Sequence, residues 1–127
     1  MRTQQLTQEE RERYSRQMLL AGVGEAGQRK LLASKVLIVG AGGLGSPVAM
    51  YLAASGVGEV GVVDDDVVAL SNLQRQIAHR SADVGRKKAD SMARALAALN
   101  PVVRVNVYRE RLSEDNAEAI LLSLIHI

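Results

Sequence analysis

The chain has 127 residues, 47% of them hydrophobic, with a formal net charge of +2 and an isoelectric point near 9.2. That length suits one domain with a sizeable core, and so small a charge names no polyanionic partner. Cysteine, phenylalanine and tryptophan are absent and tyrosine occurs three times, which excludes a disulfide framework, a thiolate metal site or a thioester relay within the chain and argues against a base-stacking nucleic-acid surface. No apolar run of about 18 residues and no basic-then-apolar leader occurs, so neither a membrane span nor a signal peptide is expected, and the cytoplasm is the default location.

In chain order, residues 1–33 read as a helical arm and residues 34–127 as a single nucleotide-binding unit. Thr7 and Glu10 stand at capping-box spacing at the start of a charged helix running to Leu20. Gly22-Val23-Gly24 breaks it before a second helix that ends near Leu32. The two helices would carry Arg16 on a mobile arm. Lys35-Val36-Leu37-Ile38-Val39 is a continuous apolar run of strand length, and it leads into Gly40-Ala41-Gly42-Gly43-Leu44-Gly45, a match to G-x-G-x-x-G. In that setting one glycine permits the tight turn, one lets backbone approach a phosphate, and one lets helix pack on strand. Amides at the helix start would face the anion. Pro47 suits the first turn of that helix, which continues through Ala53 to Gly56.

A second apolar run, Val60 to Val63, ends at Asp64, close to the ~20-residue offset expected for a ribose-binding carboxylate. Asp65 and Asp66 follow, but the place directly after the strand favours Asp64. No Gly-Lys-Ser or Gly-Lys-Thr follows the glycines, so the loop is not a Walker A loop and its helper cations must come from elsewhere. Arg75, Arg80, Arg86, Lys87 and Lys88 cluster downstream. Taken singly, each is an ordinary solvated cation. Asn72 and Gln76 beside Arg75 point instead to a polar cradle of amides and guanidinium.

From Val84 a helix would place Ala89, Met92, Ala93, Leu96 and Leu99 on one core-facing side and end at Asn100-Pro101. Val102 to Tyr108 alternates like a third strand. Ser113 would cap a last helix with Glu114 and Asp115 in its first turn. The tail from Leu121 to Ile127 is either the start of a further strand or foreign sequence joined to a truncated frame, and His126 reads as a bystander. The fold class is thus α/β, Rossmann-like, a mostly parallel sheet with helices on both faces behind a helical arm, and apparently truncated.

Arg13-Tyr14-x-Arg16-Gln17, Gly40-x-Gly42-Gly43-Leu44-Gly45, Asp64-x-Asp66, Ser71-Asn72-Leu73-Gln74-Arg75-Gln76 and Val84-Gly85-x-x-Lys88 occur in that order. Together they resemble the N-terminal half of the sulfur-carrier adenylyltransferases, which include the molybdopterin-synthase and thiamine-pathway types and are related to ubiquitin-activating enzymes. The resemblance runs from about Arg13 to Pro101 and is closest to the molybdopterin-synthase type. It implies ATP-dependent adenylylation of the C-terminal glycine carboxylate of a small ubiquitin-like sulfur carrier, with release of pyrophosphate.

Carried over residue by residue, the resemblance implies that Gly40, Gly42, Gly43 and Gly45 approach the nucleotide and that Asp64 holds the ribose. Ser71, Asn72, Leu73, Gln74 and Arg75 would line the phosphate site. Arg75 and Lys88 would neutralise the triphosphate, and Arg16 would act as an arginine finger across a homodimer interface. Magnesium is implied with ATP, positioned by an aspartate expected just beyond Ile127, and zinc through Cys-x-x-Cys pairs that this chain does not contain. No metal ligand is therefore assigned here, and no nucleic-acid or membrane partner is expected. Two other readings stay open: an inactive truncated nucleotide-binding fragment, and a nicotinamide-binding dehydrogenase half, which would leave Asn72, Arg75 and Lys88 without a role.

Overall fold

The structure is a computed structural model and describes residues 5–125. Its centre is a three-stranded parallel sheet, β1 (Lys35–Val39), β2 (Glu59–Val63) and β3 (Arg104–Tyr108), in the order β1-β2-β3. Lys35 pairs with Glu59 and Glu59 with Arg104, so the three strands start level. Parallel neighbours need helical crossovers, here α4 (Gly45–Ala54) between β1 and β2 and α5 (Lys88–Leu99) between β2 and β3. Both crossovers step the same way across the sheet, so right-handed connections put both helices on one face. Every second strand residue, Val36 and Ile38, Val60 and Val62, Val105 and Val107, meets Ala49, Ala53, Ala89, Met92 and Leu96 of α4 and α5 in the main core. Residues of opposite parity face α6 (Ala117–Ile125), which lies against β1 and whose Ser123 hydroxyl is hydrogen-bonded to Tyr108. The architecture is the expected α/β sheet with helices on both faces. Among the described residues no helix is long and apolar enough to cross a membrane.

Several boundaries differ from the sequence reading, each for a local reason. The helix expected over Thr7 to Leu20 is two, α1 (Gln8–Arg13) and α2 (Ser15–Met18), because Tyr14 leaves the helical region at φ −103°, ψ 9° and turns into the interior. The capping box is present: Glu10 N–H donates to Thr7 Oγ1 at 3.1 Å and Thr7 N–H to Glu10 Oε1 at 2.8 Å. α5 begins at Lys88 instead of Val84, since Gly85 at φ +90° lies in a turn. β3 starts at Arg104, after a turn at Pro101 and Val102. Glu114 and Asp115 lie in a turn before α6, and Ser113 does not cap it by its side chain; Asn116 Oδ1 accepts from Ser113 N–H at 2.8 Å. Residues 121–125 continue α6 and are not a strand. His126 and Ile127 lie outside the described residues.

The arm is docked, contrary to the expected mobile one. α3 (Gly24–Leu32) is joined to α1 by a two-point Arg11–Glu25 ion pair at 2.9 and 3.0 Å. The Arg11 hydrogen bonds hold the Glu25 carboxyl below the usual carboxylate range. Tyr14, 1% exposed, accepts from Asn100 Nδ2 at 2.8 Å, and the same amide donates to Ala53 O at 2.9 Å. Gln17 and Gln28 are hydrogen-bonded to each other and both donate to Ser55 O. These contacts gather at the C-terminal ends of α4 and α5, where Gly56 (φ +94°) leaves the room that Tyr14 and Gln28 fill.

Candidate nucleotide-binding site

The site is built where β1 stops. Gly40 turns the chain at φ +97°, a left-handed value that suits glycine, while its N–H donates to Val63 O at 2.8 Å. A Cβ on Gly45 would stand 1.9 Å from Gly40 O, so this glycine is what lets α4 start against the loop. Around Gly43 there is nothing within 4 Å of a would-be Cβ, and the Gly42 and Gly43 N–H groups find no acceptor among the described residues. Two of the expected glycine jobs are thus visible as geometry, and the third as open backbone at a helix N-terminus. Such a terminus carries positive partial charge and selects an anion.

Asp64 leaves β2 directly opposite. Its Oδ2 accepts Ala41 N–H at 2.8 Å and its Oδ1 accepts Asp66 N–H at 2.7 Å, so the carboxylate ties the loop to the end of β2. Each oxygen retains a second lone pair, enough to accept a ligand hydroxyl. Asp66 meets the Lys88 ammonium at 3.3 Å, and Lys88 N–H donates to Asp66 O at 2.9 Å. The Val67 N–H and then Lys88 hold the Asp66 carboxyl below its usual range. Lys88 is the one buried member of the basic cluster, 7% exposed, whereas Arg75, Arg80, Arg86 and Lys87 lie on the surface.

The Ser71 to Gln76 run begins in a single 3-10 turn, Leu70–Asn72. Asn72 builds that turn: its Oδ1 accepts Ala69 N–H at 2.8 Å, and its backbone O accepts from Arg75 and Gln76. Its side-chain NH₂ remains to donate outward. Arg75 is steadied by one bond to Ser71 O at 3.2 Å. Ser71 and Gln74 are exposed and Leu73 half-buried. Gln76 is the residue that meets the loop, its Nε2 standing 3.5 Å from where a Gly42 Cβ would be.

Arg16 is not brought to this site. It is exposed on α2, two residues from Tyr14, and Tyr14 sits beside Gly56 at the far end of α4. At 1.5 Å per residue the ten residues of α4 separate the two places by about 15 Å.

Some lining residues escaped the sequence reading. Val39, Glu110, Arg111 and Leu112 join Gly40, Val63, Asp64 and Asp65 around a cleft of about 210 Å³ at the C-terminal ends of the strands. The available signal was positional, since ligands of open α/β sheets bind beyond the carboxyl ends of the strands, and residues 110–112 follow β3. His79, buried under the loop, carried no such signal.

Neither implied metal ion has a three-ligand protein site among the described residues, where no three His, Asp or Glu side chains gather to hold one. The sequence has no cysteine to offer zinc a thiolate.

A parallel sheet whose first strand feeds a glycine turn with open amides at a helix start, faced by an acidic residue from the next strand, defines a Rossmann-type nucleotide-binding domain. The chain belongs to the ThiF family, which matches residues 14–127. It is 53% identical over 115 residues to a sulfur carrier protein adenylyltransferase of Thermus thermophilus, covering 91% of this chain and 42% of that protein. It is 51% identical over 112 residues to a probable adenylyltransferase/sulfurtransferase of Mycobacterium tuberculosis, covering 88% of this chain and 29% of that protein. The chain therefore spans well under half the length of these relatives. Among solved structures, the E. coli tRNA N6-threonylcarbamoyladenosine dehydratase in complex with ATP superposes with a TM-score of 0.85 at 31% identity, over 91% of this chain and 47% of that one.

Proposed function

We propose that this chain is the ATP-binding part of an adenylyltransferase that activates the C-terminal glycine carboxylate of a ubiquitin-like sulfur carrier, the small subunit of molybdopterin synthase being the favoured carrier, in the cytoplasm. The observation that carries the reading is the pair of unclaimed amides at Gly42 and Gly43, with the buried Lys88 held to the same loop through Asp66 and Asp64. The name of the Thermus thermophilus relative suggests the acceptor class.

In this reading a carrier carboxylate oxygen attacks the α-phosphorus of ATP while the bond from that phosphorus to the bridging oxygen breaks, giving an acyl-adenylate and pyrophosphate. The attacking carboxylate is ionised at neutral pH, its free pKa being roughly 3.5, so no general base is needed. The demand is for positive charge around crowded phosphates. The Gly42 and Gly43 amides and Lys88 supply it from fixed positions, and Arg75 and the Asn72 amide from the exposed rim. Asp64, held by two backbone N–H groups, receives the ribose hydroxyls. Magnesium would enter with the triphosphate, since the described residues give it no three-ligand site of their own.

The arginine finger is read as acting in a homodimer. Arg16 lies about 15 Å from its own loop along α4, by the helical rise, which favours the partner's site over its own. In a full-length version of the enzyme, Arg16→Ala should lower carrier-dependent ATP–pyrophosphate exchange at least a hundredfold, a loss of about 3 kcal/mol as for removal of one charge-stabilising donor. Mixing Arg16→Ala with Lys88→Ala subunits should restore exchange, because one hybrid site keeps both residues. Retained exchange in Arg16→Ala would refute the assignment, and failure of the mixture to recover would refute action across the dimer.

A further inference from the structure

We propose that His79 is the positioning residue of the anion loop, fixing the Ala41–Gly42 peptide so that the Gly42 amide faces outward beside the open Gly43 amide; the inference rests on reading that loop as a nucleotide cradle. His79 is 4% exposed and uses both ring nitrogens. Nε2 lies 2.7 Å from Ala41 O and Nδ1 lies 2.7 Å from Ser91 Oγ, with Ala41 and Ser91 themselves buried. A carbonyl oxygen can only accept, so Nε2 carries the proton, and in the neutral ring Nδ1 accepts from the Ser91 hydroxyl. Ser91 stands on α5 one turn beyond Lys88, which ties the ring to the helix that also carries the buried cation.

The consequence for the loop follows from the planar trans peptide, in which C=O and N–H point in opposite directions. With Ala41 O held inward by His79, the Gly42 N–H must point away from the core. The preceding N–H, that of Ala41, is committed to Asp64 at 2.8 Å. Ala41 is thereby held from both sides, and the free amides begin only at Gly42. Gln76 Nε2 stands 3.5 Å from where a Gly42 Cβ would be, so the Gln76 to His79 turn lies beside two successive loop residues. His79 touches no reacting atom. Its work is to remove the alternative orientation of one peptide plane, so that no rearrangement is needed when the anion arrives.

The test compares His79→Gln, whose terminal NH₂ can still reach a carbonyl, with His79→Leu, which keeps bulk and loses the donor. Ser91→Ala removes only the hydroxyl that orients the ring. A core truncation in the separate arm cluster, Leu32→Ala, serves as the control for general destabilisation. ATP dissociation constants and backbone amide order parameters at Gly42 and Gly43 are read for each. His79→Leu is expected to weaken ATP at least tenfold and to drop both order parameters below ~0.6, a flexible value. His79→Gln should stay within threefold of the parent chain, and Leu32→Ala should lower the melting temperature without that tenfold loss.

ATP affinity within twofold of the parent in His79→Leu, or an equal loss in Leu32→Ala, would overturn the proposal. Should His79→Leu not fold, imidazole nitrogen shifts of the parent chain and of Ser91→Ala decide: a neutral Nε2–H ring supports the role, and an Nδ1–H ring refutes it. If the parent chain binds no ATP while loop order still depends on His79, the nucleotide reading fails and the positioning role stands.

Discussion

The two ends of α4 use similar materials to opposite purpose. Its N-terminal end is a glycine turn with amides left open and no atom within 4 Å of a would-be Gly43 Cβ. Past its C-terminal end lies another glycine, Gly56, whose would-be Cβ meets Gln28 Nε2 at 2.5 Å and the Tyr14 ring at 2.7 and 2.8 Å. There the polar atoms are paired off inside the protein, Ser55 O with Gln17 and Gln28, Ala53 O with Asn100, and Asn100 with Tyr14. One end is left open and the other is closed by the arm. Glycine content alone does not separate binding from packing; what stands across from each glycine does.

Substitution should break the closed end first. Gly56→Ala forces a side chain onto the Tyr14 ring at a left-handed backbone angle, and overpacking plus conformational strain should cost about 3 kcal/mol, read as a lowered urea midpoint. An unchanged midpoint would show that the arm gives way easily. Tyr14→Phe keeps the ring and removes the hydroxyl that accepts from Asn100, for an expected loss of about 1 kcal/mol, since Asn100 keeps its bond to Ala53 O. Gly43→Ala should be the mildest for stability, within about 0.5 kcal/mol, because the Cβ enters open space at an unstrained angle. The same substitution should weaken ATP measurably by titration calorimetry. A large stability loss there would mean the loop is closed by contacts, and the contrast between the two ends would fall.

Much of this was legible in residue order. The apolar runs at Lys35 to Val39 and Val60 to Val63, the glycines between them and Asp64 after the second strand fixed three neighbouring elements by periodicity and turn chemistry. Boundaries slipped where tertiary contacts outweighed local preference: Tyr14 breaks a good helical pattern to reach Asn100, and Gly85 delays α5 to Lys88. The basic run from Arg75 to Lys88 looked uniform in sequence. Burial separates Lys88 from the exposed cations around it, because only Lys88 begins a helix packed against the sheet and finds Asp66 there.

By itself, then, the sequence determined the βαβ order, the glycine turn and the family, since these rest on short-range spacing between neighbouring residues. Tertiary structure alone decided which end of α4 stays open, that Arg16 stands away from its own loop, and that His79 meets the Ala41 carbonyl and Gln76 lies beside Gly42. Those features join residues 20 to 90 positions apart, and such partners are chosen by packing and hydrogen-bond satisfaction in the folded chain, which no local spacing encodes.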